Sequence, residues 1–522
     1  MAFDFKPVSS HMALFAFMVA ASLILLVLGF VAVLRFYPRG ADSTFQRLTK
    51  NSVFPMATSL LNKLLSMGFA MYMLRVLGAE GAGKYAFAVV VLGYLDILSN
   101  FGLGTLLTRE VARDRAAANR YLGNTLATRL ALWVLAMAVV GVLLGPLSGP
   151  LGVTPDVGLA ILLLAIGLLP SMAAGTLSSL FQAYEKFEYP AAVTVLTTFV
   201  TIVLGVVALS SGFGFVGLAA VSVAANLVTL SALMGLMWVF LFRPRPEFDL
   251  GFSREMVGVS YPLMLNNLLN SLFYRVDSLM LKPIAGDVAL GYYSTAYKFI
   301  DGLGIISSSF TLALFPLFSQ YAHSSRESLA RSFGFALKLL LIVSLPICVG
   351  TTLIAQEIIL LFGGPAYLPQ SAIALQILIW FLPFSFINGV TQYLLIAINQ
   401  QKFITLSFAI AAAFNLAANL LLIPQFGYPG AAVSTVLSEW VLMAPFWYSV
   451  RQHLPPISLP RLFWRPVVAS AAMGLEVWLL RGWSLPLAVV MAPVLYGAGL
   501  LALRTFDQEE MAMLQKSLPW RK

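Results

Sequence analysis

The chain has 522 residues, is 60% hydrophobic and only 10% charged, whereas a soluble domain is roughly a quarter charged. Its apolar runs are continuous rather than alternating, which excludes both a soluble protein and a membrane β-barrel. A net charge of +10 then belongs to the loops that set topology, not to nucleic-acid recognition.

Windows of about twenty apolar residues, bounded by charge, Pro and Gly, predict about fifteen transmembrane spans. The first covers residues 12–34 and precedes everything else. Its apolar region is too long for a signal peptide and no clear cleavage site follows it. With Arg35 and Arg39 directly behind it, it reads as an uncleaved anchor, the extreme N-terminus outside. The N-lobe spans follow at 53–77, 85–108, 123–144, 157–182, 190–209 and 216–242. The C-lobe spans lie at 256–282, 291–318, 333–353, 368–398, 403–423 and 428–450, and a final pair at 462–480 and 485–503.

The connections alternate in charge. Arg109, Arg113, Arg115 and Arg120 follow the second core span, Arg243, Arg245 and Arg254 the sixth, and Arg451 and Arg461 the twelfth. The intervening loops GPLSGPLGVTPDVG, SSGFGFVG and PQFGYPG contain no Lys or Arg. Basic loops stay cytoplasmic, so the core is expected to have fourteen helices with both ends in the cytoplasm of a plasma-membrane protein.

An internal repeat appears at a shift of 208 residues, where Gly78 falls on Gly286, Gly83 on Gly291, Tyr85 on Tyr293 and Ala88 on Ala296. An even number of spans per half gives the halves one orientation, a parallel pseudo-two-fold repeat typical of transporters that rock two lobes about a central site. The expected fold is therefore an all-α polytopic membrane protein. Its divisions are an N-terminal anchor (1–44), an N-lobe (45–250), a C-lobe (251–455), and a helix pair with a cytoplasmic tail (456–522).

The one cysteine, Cys348, forms no internal disulfide, and the histidines His11, His323 and His453 are too scattered for a metal site. No phosphate-cradling loop, HExxH or nucleophile elbow is present. No connection is long enough to form a catalytic domain, so the expectation is a protein that is not an enzyme and needs no cofactor or metal.

Charges at membrane depth are rare and face a cavity or a partner. The candidates are Lys63, Asp96, Arg129, Arg275, Asp277, Lys298, Asp301, Glu439 and Glu476. On a helix, Arg275 shares a face with Asn267, Ser271, Ser278 and Lys282, while Asp277 lies about 200° away beside Asn266 and Asn270. Arg275 and Asp277 therefore do not pair with each other. Lys298 and Asp301 are three apart on one face, one turn beyond Ser294. Lys63, Arg275 and Lys298 are the candidate phosphate-binding cations. Their structural alternative is interhelix pairing, Arg275 with Asp301 or Lys298 with Asp277. Asp277, Asp301 and Glu439 are candidate carboxylates for ion pairing or for H+ or Na+ coupling. Arg129 reads as a side chain that snorkels from a helix end. Asn267, Asn270, Asn388 and Gln392 are candidate glycan contacts, as are Asn415, Asn419 and the threonines 194, 197, 198 and 201; their alternative is helix–helix hydrogen bonding.

The stretches YMLRVLGAEGAGKYAFA, DILSNFGLGTLLTREVARD and YRVDSLMLKPIAGDVALGYYSTAYKF resemble the oligosaccharide flippases (Wzx-like proteins) of the multidrug/oligosaccharidyl-lipid/polysaccharide exporter superfamily. The resemblance runs over residues 45–504. It implies two six-helix lobes around a central cavity, with a further helix pair beside them. It also implies that an undecaprenyl-pyrophosphate-linked glycan moves to the outer leaflet, in company with lipids and a polysaccharide polymerase or export machinery. The anchor at 12–34 departs from the family pattern, and the early motif of the lipid II flippases is missing. The rival functions are a multidrug exporter of the same superfamily, a lipid II flippase, a membrane-embedded polymerase or glycosyltransferase, and a scaffold subunit of a polysaccharide export machine.

Overall fold

The computed structural model describes residues 44–245 and 247–506, with side chains from residue 58 onward. The anchor at 12–34 and the tail residues Lys516, Arg521 and Lys522 lie outside the described residues. Every regular element among the described residues is helical. The helices are α1 (Thr44–Asn100), α2 (Leu103–Arg113), α3 (Ala118–Leu144), α4 (Pro155–Ala183), α5 (Glu188–Ser210), α6 (Gly214–Phe240), α7 (Leu250–Ser324) and α8 (Arg326–Leu353). They continue with α9 (Ala355–Phe362), α10 (Gln370–Leu378), α11 (Leu382–Ala397), α12 (Gln401–Phe426), α13 (Tyr428–His453), α14 (Leu459–Leu480) and α15 (Leu485–Ala502).

Ten helical stretches among the described residues are long and apolar enough to cross a membrane. Two of them, Thr58–Arg113 and Leu250–Ser324, measure 56 and 75 residues, and a crossing takes about 20. Each long helix is broken at a glycine that leaves helical backbone, Gly78 (φ 64°, ψ −178°) and Gly286 (φ 88°, ψ 172°). The outward faces carry Leu64, Val134, Leu421, Val490 and Trp478, all more than half exposed. Such a surface aggregates in water and is at home against lipid.

The chain forms two compact units. Unit 1 holds the described residues up to Val76, with Leu95–Leu147 and Thr154–Met264. Its core joins Leu107 and Val111 of α2, Leu122 of α3, Leu177, Leu180 and Phe181 of α4, and Leu233 and Met237 of α6. The second span was expected at 85–108, yet α1 ends at Asn100 and α2 starts afresh at Leu103. Phe101 (φ 48°) and Gly102 (φ 73°) both take left-handed backbone there, which stops an α-helix. A loop is tied to α3 by Asn124, whose Nδ2 donates to Arg120 O (2.8 Å) and Glu247 O (3.1 Å). Its Oδ1 accepts from the Asp249 amide (2.9 Å) and Ser253 Oγ (2.8 Å). Asp249, outside the spans, is held below the usual carboxylate range, first by the Phe252 amide and then by the Gly251 amide and Arg120.

Arg129 of α3 is a correction. It does not snorkel: it is 4% exposed, and its Nη1 donates to Met172 O (2.8 Å) and Thr176 Oγ1 (2.5 Å) of α4. Gly104 and Gly175 make room, since a Cβ there would stand 3.0 Å and 3.7 Å from the guanidinium. A buried guanidinium is tolerated in a span where carbonyls and hydroxyls replace its water.

Unit 2 holds Leu77–Tyr94, Ser148–Val153 and the described residues from Leu265 onward. Its core sets Phe273 edge-on to Phe408 (5.6 Å between ring centres), and Phe408 edge-on to Phe446 (6.0 Å). α14 and α15 pack on α8 through Met473, Val477, Tyr496 and Leu500, and Tyr496 Oη donates to Ile342 O (2.7 Å). Two segments of unit 2 cross at glycines. A Cβ on Gly83 would lie 1.8 Å from Asp287 O, and a Cβ on Gly291 would lie 1.8 Å from Ala79 O. Under the 208-residue offset, 79 corresponds to 287 and 83 to 291, so the contact is reciprocal.

Candidate functional site

The stripe of α7 that begins at Ser271 opens onto a cavity of about 400 Å³ in unit 2. Ser271, Arg275 and Ser278 line one side and Ser294, Tyr297, Lys298 and Asp301 another. Residues 82–93 of α1 close the rest with Tyr85 and small apolar side chains. The α-helical repeat puts Ser271, Arg275 and Ser278 on one face, which is why a single turn-by-turn stripe supplies them. Beyond the break at Gly286, the same helix returns with Ser294, Lys298 and Asp301 on one face.

Within this cavity Arg275 is paired. Its Nη2 donates to Asp301 Oδ2 at 3.0 Å, the two side chains being 40% and 47% exposed, and the guanidinium lies over the Tyr297 ring at 4.9 Å. Lys298 makes no hydrogen bond or ion pair with any described residue. The cavity therefore carries two cations and one carboxylate, and one cation is uncommitted. A half-exposed Arg–Asp pair is weak, ~0.2–1 kcal/mol, so an entering anion with more charge than a carboxylate competes for Arg275.

Asp277 points elsewhere, as its place on the helix required. It is 2% exposed and accepts from the Ser278 amide (2.5 Å), Thr435 Oγ1 of α13 (3.0 Å) and the Tyr293 hydroxyl. Neutral donors hold this carboxylate, and Arg275 is not among them. Lys282, placed by sequence on the Arg275 stripe, is instead buried in an ion pair with Asp287 and lies over the Phe87 ring at 5.2 Å.

The remaining candidates are scattered. Lys63 belongs to unit 1, where it is exposed, so unit 2's cavity is built from Arg275 and Lys298 without it. Glu439 is 1% exposed, and its Oε2 accepts from Asn388 Nδ2 (2.6 Å), which also donates to Glu439 O (2.9 Å). Glu439 Oε1 and Asn388 Oδ1 are both buried without a partner among the described residues. Asn388, 2% exposed, is thus spent on a helix–helix contact and does not meet a cavity. Asn267 is exposed, and Asn270 and Gln392 are half-buried; none of the three lines the cavity. Asn415 donates to Ser438 Oγ (2.9 Å) and Asn419 to Asn415 Oδ1 (2.6 Å), again between and within helices. Sequence reasoning missed Tyr297 and Asp287. Tyr297 was legible one position before Lys298; Asp287 was hidden beyond the Gly286 break, where helical spacing no longer applies.

Among the described residues, no group of His, Cys, Asp and Glu is arranged to hold a metal. Cys348 is buried, with its Sγ 3.1 Å from Ile379 O.

The chain resembles known membrane proteins in sequence and in fold. The family model described as polysaccharide biosynthesis protein matches residues 48–322, and the MatE model matches 262–421. An uncharacterized membrane protein of Methanocaldococcus jannaschii is 29% identical over 36% of this chain and 36% of its own length. The match thus spans about a third of that relative. A protein of Haloferax volcanii named as a probable low-salt glycan biosynthesis flippase is 22% identical over 70% of this chain and 75% of its own. Among solved structures, a lipid II flippase in its inward closed conformation superposes with a TM-score of 0.74 at 14% identity, over 87% of this chain and 99% of that one. That likeness shows that the two chains share a fold.

Proposed function

The chain belongs to the polysaccharide biosynthesis protein family, and on that premise we propose that it is a flippase carrying a lipid-linked oligosaccharide across the cytoplasmic membrane. The substrate is of the undecaprenyl-pyrophosphate type, and the step is alternating access without covalent chemistry. The observation that carries the reading is the unit 2 cavity, where Lys298, without a hydrogen bond or ion pair to any described residue, stands beside an Arg275 paired with a half-exposed Asp301. Two cations of different kinds suit a pyrophosphate: a planar fork for two oxygens and a mobile point charge for a third. The prenyl chain stays in lipid, where its transfer costs nothing.

Asp301 has a definite part in this scheme. It neutralises Arg275 while the cavity is empty and reclaims it on release, so the guanidinium is never left without a counter-charge. Coupling to H+ or Na+ falls to the carboxylates outside the cavity, Asp277 and Glu439, which sit buried among neutral donors. The core termini face the cytoplasm, and the glycan passes to a polymerase or export machinery beyond the membrane.

The test is direct. Purified protein is reconstituted into liposomes, and a fluorescent undecaprenyl-pyrophosphate oligosaccharide is followed from one leaflet to the other. Protein-dependent movement of the glycolipid is expected, with no uptake of ethidium. Ethidium transport without glycolipid movement would instead make the protein a multidrug exporter, the reading that the MatE match over 262–421 favours.

A further inference from the structure

Unit 1 contains a second cavity, of about 260 Å³, between α1, α5 and α6. Its walls include Thr194, Thr197, Thr198 and Thr201 of α5, Asn226 and Thr229 of α6, and Phe69 of α1, and no charged residue lines it. Polar side chains in a membrane bundle ordinarily hydrogen-bond across helices; here they also border an open, uncharged pocket.

The hydrogen bonds decide what this wall offers. A hydroxyl has one hydrogen and two lone pairs. Thr194 Oγ1 donates to Pro190 O (2.8 Å), Thr198 to Thr194 O (2.9 Å) and Thr201 to Thr197 O (2.8 Å). Thr197 and Thr229 stand 2.5 Å apart, within reach of Val193 O (2.9 Å) and Ala225 O (2.9 Å). The threonine hydrogens are therefore spent inside the protein, on the i−4 carbonyls or on each other. Asn226 likewise gives an amide hydrogen to Gly167 O (3.0 Å). What remains is mostly lone pairs, with the Ser66 hydroxyl and the second Asn226 amide hydrogen as the donors beside them.

The apolar part of the wall is Phe69 and Ile202. The Phe69 ring is seated over Gly205, where a Cβ would come within 2.5 Å of the ring's Cζ. An aromatic face attracts C–H groups through its negative quadrupole. An acceptor-rich rim beside an aromatic ring suits a pyranose, which has hydroxyl donors at its edge and C–H groups on its faces. A metal cation would find lone pairs but no carboxylate to neutralise it. The volume lies below the ~300–1,000 Å³ of pockets for drug-sized ligands, so it suits one sugar ring rather than a chain.

We propose that the pocket of Phe69, Thr197, Thr201, Asn226 and Thr229 in unit 1 is a binding subsite for a single neutral hexopyranose. It rests on the flippase reading only for the molecule that brings the sugar there, a residue of the lipid-linked glycan.

The test uses the full chain in phospholipid nanodiscs, since glucoside and maltoside detergents carry the group in question. Methyl glycosides of glucose, galactose, mannose and N-acetylglucosamine are titrated by saturation-transfer difference NMR, and bare undecaprenyl pyrophosphate is titrated separately. At least one glycoside is expected to bind the wild type. The Thr197→Val/Thr201→Val variant is expected to weaken it about tenfold, the scale of two lost hydrogen bonds, and to leave binding of the bare lipid unchanged. Thr201→Ser, which keeps the oxygen, is expected to retain the glycoside. If the valine variant loses the bare lipid as well, Phe69→Leu decides: about tenfold weaker glycoside binding supports the subsite, and unchanged binding overturns it. Saturation of none of the four glycosides, or the same affinity in the double valine variant, also overturns it. Glycoside binding without bare-lipid binding keeps the subsite and discards the flippase reading; the reverse keeps the flippase and discards the subsite.

Discussion

Replacing Arg275 and Lys298 together with alanine is expected to weaken binding of undecaprenyl pyrophosphate at least about 100-fold and to slow its transbilayer movement in proportion. A hydrogen bond to a charged group contributes ~1.5–3 kcal/mol, so two lost contacts amount to ~3–6 kcal/mol, and every 1.4 kcal/mol is tenfold in Kd. Arg275→Lys should recover only part of the affinity, because the ammonium keeps the charge and loses the fork. Asp301→Asn should act in the opposite direction. It removes the anion that occupies Arg275 in the empty cavity (3.0 Å). A half-exposed pair contributes at most ~1 kcal/mol, so the gain is limited to about fivefold. Equilibrium titration of the bare lipid into nanodiscs measures all three. Opposite signs for Arg275→Ala/Lys298→Ala and Asp301→Asn separate competition for the guanidinium from a general loss of fold, which would weaken binding in both.

Gly83→Ala and Gly291→Ala are each expected to destabilise the protein by ~3 kcal/mol, the upper end of the overpacking range. The atom struck is in each case a backbone oxygen, Asp287 O or Ala79 O, only 1.8 Å from the added methyl. A flexible side chain swings aside, but a carbonyl fixed in a helix moves only with its helix. Gly235→Ala is the control, a helical glycine with nothing within 4 Å of its added Cβ; alanine there should stabilise by ~0.5–1 kcal/mol. Thermal unfolding of the purified protein, followed by size-exclusion chromatography, reads the difference. If Gly83→Ala unfolds with Gly235→Ala, the reciprocal glycine contact does not hold unit 2 together.

Much of this could be read before any coordinates, and the exceptions have physical causes. The all-helical fold follows from continuous apolar runs, and the glycine pair at 78 and 286 is visible as a repeat. The separation of Arg275 from Asp277 needed only the pitch of a helix: one lines a cavity and the other is buried against Tyr293 and Thr435. The pairing of Arg275 with Asp301 was one of two open alternatives, because helical geometry fixes the face of each residue but not which helices meet. Asn388 illustrates a deeper limit. A polar stripe within a span faces either a cavity or another helix, and both give the same sequence pattern; only its bonds to Glu439 decide. Arg129 failed for a related reason. Its lodging depends on Met172 O, Thr176 and the space left by Gly104 and Gly175, none of which is near it in the chain. Lys282 was assigned to the Arg275 stripe, yet Asp287, beyond the Gly286 break, takes it out of the cavity.

The central claim is that two cations in one cavity recognise the pyrophosphate of a lipid-linked glycan. Its most direct measurement is the rate at which proteoliposomes flip two matched substrates, an undecaprenyl-pyrophosphate disaccharide and the same disaccharide joined to the prenol through an uncharged ether. The pyrophosphate substrate should cross at least about tenfold faster, and that preference should vanish in Arg275→Ala/Lys298→Ala. Equal rates for the two substrates in the wild-type protein would contradict the account.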